Sequence, residues 1–173
     1  MAFRPMEKSL SYIDIPKPPV LTPARTLAGA PRGALRLRGL AIALGCGVLL
    51  ALAVWLRPSE TGVGTHEQLG LPPCEFLART GWPCPTCGMT TSFAAMAHGR
   101  LALAWRAHPF GVVLFVASVV LFLAGVAEAL SGRDWLRRLR PGAWWAWVLV
   151  IGVPVGWALK VLMGVLTGTL PMR

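Results

Sequence analysis

Acidic residues are scarce in this sequence, with seven Asp and Glu in 173 positions against seventeen Lys and Arg. Tyrosine occurs once, although tryptophan occurs eight times. Charged residues of either sign make up 14% of the chain, where a soluble domain carries about 25%. Each shortage excludes something. A chain that is 55% hydrophobic with so few charges has too much apolar surface for a water-soluble globule of this size. The same apolar content excludes disorder for the bulk of the chain. Four cysteines are too few for a soluble disulfide-rich scaffold. There is no Gly-rich phosphate loop, no convincing Ser/His/Asp set, and no pair of carboxylates in the apolar stretches, so an ordinary hydrolase or kinase is excluded. What remains is an integral membrane protein.

The basic excess of +10 is unevenly placed. Residues 1–38 hold seven Lys or Arg and two acids, and residues 131–142 hold four Arg and one Asp. Both blocks flank apolar runs, which reads as a topology signal and not as nucleic-acid binding. The first run, Gly39 to Leu56, carries no charge over eighteen residues, about 27 Å of helix. The second runs from Phe110 to Leu130 with Glu128 as its single charge, and the third, Ala143 to Leu166, opens on Trp144, Trp145 and Trp147. The expected architecture is all-α, with three transmembrane helices plus a cysteine-containing extracytoplasmic cap with short interfacial helices. Residues 1–38 form a disordered, basic, Pro-rich cytoplasmic tail and 39–56 the first span. Residues 57–109 form the cap, 110–130 the second span, 131–142 a basic cytoplasmic loop, 143–166 the third span and 167–173 a short tail. With both basic blocks inside, the N-terminus is cytoplasmic, the C-terminus and cap are extracytoplasmic, and the expected location is a bacterial cell membrane.

The chemistry is concentrated in Cys74-Glu75-Phe76 and Thr80-Gly81-Trp82-Pro83-Cys84-Pro85-Thr86-Cys87-Gly88. Three readings stay open. A disulfide staple holding a short cap is structural. A C-x-x-C pair ahead of a helix can also exchange disulfides, with Cys84 attacking, Cys87 as partner and Cys74 as resolving thiol. Finally, Cys74, Cys84 and Cys87 with one of His66, His98 or His108 would complete a Cys3His zinc site. The spacing is half a zinc signature, since no second C-x-x-C or H-x(3–5)-H accompanies it. Zinc is therefore the one cofactor the residues admit; otherwise none is expected.

In the third span Gly152, Gly156, Lys160, Gly164 and Gly168 recur every fourth residue and share a helix face, suited to homo- or hetero-oligomers. Lys160 is expected to snorkel to the outer boundary, too far in depth from Glu128 to pair with it. The bilayer is the expected partner, without nucleic acid.

Cys74, Phe76, Thr80, Gly81, Cys84, Pro85, Cys87, Gly88 and Thr90, followed by Gly99, Ala104 and Pro109, resemble a bacterial membrane family catalogued as a domain of unknown function, number 2752. The family pattern differs at three places: Thr91 stands for an Arg, Arg100 for an Asp and His108 for an Asn. The resemblance spans roughly residues 70–130 and implies a small multi-span membrane protein without adding a mechanism. The reading favoured by the residues is a non-enzymatic protein whose cap is a structural or interaction surface.

Overall fold

A computed structural model describes residues 31–139, 142 and 144–170. Among them there is no strand. Six α-helices follow in order: α1 (Arg32–Trp55), α2 (Glu75–Thr80), α3 (Met89–Ala97), α4 (Leu101–Ala107), α5 (Pro109–Ser131) and α6 (Trp144–Leu166). α1, α5 and α6 are each long and apolar enough to cross a membrane. The tail over residues 1–30 and the last three residues lie outside the described part, as do some positions of the 131–142 loop.

α1 starts seven residues before the apolar run. After Pro31 nothing breaks a helix, so Arg32, Arg36 and Arg38 occupy its first turns. α1 and α5 run antiparallel and touch through small residues. A Cβ on Gly39 would stand 2.7 Å from the Gly125 carbonyl oxygen and the Ala129 nitrogen. Without a hydrophobic drive between helices in lipid, such close approach is what holds two spans together. At this end Arg38 donates to Glu128 at 2.8 Å and to Asp134 at 2.7 Å, and the Leu136 amide donates to the other Glu128 oxygen at 3.0 Å. Glu128 is fully buried, and these bonds satisfy it.

α5 begins on Pro109, whose missing N–H costs nothing in a first turn. Its next residue, Phe110, fills the space left by Gly152 and Gly156 of α6. Gly164 meets Leu170 of the chain beyond the helix, while Gly168 has nothing within 4 Å. Three of the four glycines on the expected oligomer face are thus met from within the chain, two by α5 and one by the segment after α6. The Phe110 contact also sets a stagger. α6 continues about ten residues, roughly 15 Å, past the start of α5. The connection 57–88 and the α3–α4 hairpin pack in this step.

The hairpin is held by small side chains. Ala95 of α3 packs with Leu103 and Ala104 of α4, all buried, and Ala94 beside it is buried too. Phe93 meets Phe115 of α5 edge-on at 5.6 Å. The buried Thr91 hydroxyl donates to Thr65 at 2.8 Å, pinning the 3-10 turn Thr65–Leu69.

Candidate functional site

α2 brings the third sulfur back to the other two. Cys74 is its N-cap residue, and the helix stops at Gly81 after six residues, returning the chain toward Cys84. Cys84 to Cys87 form a tight turn, with the Cys87 amide on the Cys84 carbonyl at 3.0 Å and the Met89 amide on Thr86 at 3.1 Å. The three sulfurs, from two separate segments, all lie within 4.8 Å of one another. All three are free thiols; Cys87 is buried and the other two are half-buried.

The loop carrying them is clamped by its carbonyls. Trp157 Nε1 donates to Pro83 at 2.7 Å, His108 Nε2 to Pro85 at 3.0 Å and Lys160 Nζ to Cys87 at 2.9 Å. Alternate residues of the loop thus hang on α6 and on the residue that opens α5. Gly88 lets the pieces meet. Its φ is +88°, and a Cβ there would stand 2.7 Å from both the Gly62 carbonyl oxygen and Lys160 Nζ. Lys160 is 5% exposed, so it does not snorkel; the α5–α6 stagger places the cysteine loop over it, and the loop carbonyl replaces water. Among the described residues no carboxylate pairs with it, and Glu128 is held by Arg38 at the other end of the bundle.

The three histidines have other duties. His66 contacts the Pro72 carbonyl at 3.2 Å and His98 the Ala94 carbonyl at 2.8 Å. His108 touches the loop through Pro85 only, so no imidazole shares the sulfur cluster. A carbonyl can only accept, so His108 carries its proton on Nε2, leaving Nδ1 buried without a partner. Burial keeps the His108 ring below the usual imidazole range against the pull of the Pro85 carbonyl, and Lys160 lowers it further. The departures from the family pattern each have a place: Thr91 on Thr65, Arg100 paired with Glu60, and His108 on Pro85.

The thiols of the C-x-x-C pair differ. Burial works to raise Cys84, but hydrogen bonds from Thr86, the Cys74 thiol and the Cys87 amide outweigh it and leave Cys84 below the ordinary thiol value. The Thr86 hydroxyl lies 3.6 Å from its sulfur. Burial pushes Cys87 up to about 11, partly offset by the Lys160 charge. Chemically, the arrangement offers three soft sulfur ligands beside one buried cation, with Cys84 ionised more readily than Cys87.

Trp157 and Lys160 are the residues that the sequence did not assign to this site; His108, expected as a zinc ligand, holds the Pro85 carbonyl instead. Their one signal is a lysine inside an apolar span with no acid at its depth, which in a membrane segment marks a functional or pairing site.

Residues 74–122 match the family described as protein of unknown function (DUF2752). No curated protein and no solved structure matches the chain.

Proposed function

We propose that this chain is a multi-pass protein of a bacterial cell membrane that holds a thiophilic divalent ion, zinc before others, on Cys74, Cys84 and Cys87. The ion's role is structural: it fixes the cap onto the outer part of α6 and shapes its surface for a partner. The basic flanks of the spans put the N-terminus in the cytoplasm and the cysteine end outside. The observation that carries this reading is the convergence of three free thiols next to a buried ammonium that no carboxylate among the described residues pairs with. A staple needs two sulfurs, and the third has no part in it. Three thiolates around a dication leave one negative charge, which Lys160 balances. With no imidazole in the cluster, a solvent-derived or partner-borne ligand takes the fourth position.

Metal analysis of protein purified without chelators tests this, with about one ion per chain expected and Cys74→Ser abolishing it. Cobalt substitution should give thiolate charge-transfer absorption. Metal-free protein with three reactive thiols would overturn the reading. A reporter fused after Gly88 should be active outside the cytoplasm; activity inside would overturn the orientation.

The asymmetry of Cys84 and Cys87 favours a second reading, thiol–disulfide exchange. Cys84 thiolate would attack a substrate disulfide and release one substrate thiolate. Cys87 or Cys74 would then displace the second, leaving an intramolecular disulfide in the chain and a reduced substrate. Alkylation before and after reduction separates the two readings, since only exchange yields a two-electron oxidised form.

A further inference from the structure

The last turns of α1 and the first turns of α3 enclose a crevice of about 300 Å³. Leu49, Leu52 and Leu56 form one wall, and Met89, Thr90 and Phe93 the other, with Leu69 contributed by the 65–69 turn. Its lining is almost wholly apolar. Leu49 and Leu52 are 51% and 38% exposed, so the mouth opens on the exposed apolar face of α1 that also carries Val48, one turn before Leu52. That surface belongs to a helix apolar and long enough to cross a membrane, so it faces acyl chains. An apolar crevice does not hold water. A helix, about 10 Å across, does not enter a space of this size, whereas an unbranched chain does.

The rim supplies a headgroup contact. Arg57 directly follows Leu56, is exposed, and has its backbone fixed on both sides by Gln68, whose side chain accepts from the Arg57 amide at 3.1 Å and donates to its carbonyl at 2.7 Å. A guanidinium rooted there stands at the level where the apolar run ends, which is where a lipid phosphate lies.

We propose that this crevice binds one acyl chain of a glycerophospholipid from the leaflet at the cysteine end, with Arg57 on its phosphodiester. The site does not depend on what the cysteines hold. The lipid completes the packing of the α3–α4 hairpin against α1, filling a gap that protein side chains leave open.

The test uses the full chain in phosphatidylethanolamine–phosphatidylglycerol vesicles containing phosphatidylglycerol with a mid-chain diazirine. After irradiation, adducts are mapped by mass. Labelling should concentrate severalfold on residues 49–56 and 89–93, relative to the lipid-facing stretches around Val116 and Ile151. It should fall as unlabelled phosphatidylglycerol is added. Thr90→Phe fills the crevice and should abolish the excess, and Arg57→Gln, on the surface and harmless to folding, should reduce it severalfold. Uniform labelling that no competitor reduces would mean ordinary boundary lipid and overturn the site. Cross-linked dimers without lipid adducts would overturn it in favour of a second copy.

Discussion

Replacing Lys160 with methionine separates what the lysine does for the fold from what it does for the sulfurs. The side chains have similar length, so packing beneath the loop is retained. Two effects oppose each other in the metal-free protein. The Cys87 carbonyl loses a charge-assisted donor, worth about 1.5–3 kcal/mol. Against this, the variant no longer buries an ammonium, whose desolvation costs several kcal/mol. The thermal midpoint of the metal-free form should therefore move little. The loaded form has no such compensation, because the balancing charge and the loop anchor vanish together. Partners one step behind metal ligands typically contribute 10–100-fold in affinity. Zinc affinity, measured against a chromophoric chelator, should fall by about that factor, or about 1.4–2.7 kcal/mol. A Lys160→Met protein that keeps its zinc affinity would refute the idea that this cation serves the thiols.

Further outcomes are expected elsewhere. Gly88→Ala should detach the loop, because it combines a positive φ with overlap on Gly62 and Lys160; a loss of about 3 kcal/mol or more and full exposure of Cys87 to alkylation are expected. On α1, Gly39→Ala should weaken the α1–α5 contact by about 1–3 kcal/mol, while Gly45→Ala, with nothing within 4 Å, should be neutral or slightly stabilising in thermal melts. Arg38→Met leaves a fully buried carboxylate partly unpaired and should cost about 3–5 kcal/mol, and adding Glu128→Leu should restore much of it. The raised Cys87 thiol favours the folded metal-free form while protonated. That contribution is complete below the ordinary thiol value and lost as pH rises to about 11, so metal-free wild type should lose stability over that window relative to Cys87→Ala.

The spans were legible because unbroken apolar runs of that length have few other uses. Their ends were less so: Arg32, Arg36 and Arg38 are as compatible with helix as with tail, and only a breaker at Pro31 decides. The glycine period on α6 announced a close approach but not its partner. Phe110 belongs to, and His108 directly precedes, a helix whose stagger no local pattern encodes. The meeting of Cys74 with Cys84 and Cys87 follows from a six-residue helix ending on Gly81, which was not expected from the sequence. The histidines were grouped with the sulfurs because they share a segment, yet each is held by a backbone carbonyl instead.

The placement of Lys160 has a cause in the loop. Pro83 and Pro85 have no N–H, so this stretch cannot pair with itself in a ladder or helix. Pro83 and Cys87 are buried against the helices, and the carbonyls of such a stretch still need donors. The spans provide them at every second residue: Trp157 for Pro83, His108 for Pro85 and Lys160 for Cys87. Three donors of different reach, all from rigid helices or their first turn, fix the loop more tightly than a flexible cap could fix itself. The same prolines stiffen the turn that aligns Cys84 with Cys87. A charged residue in the span is thus the counterpart of a loop that cannot satisfy its own backbone, and the sulfurs gain their arrangement, and a nearby positive charge, from that one requirement.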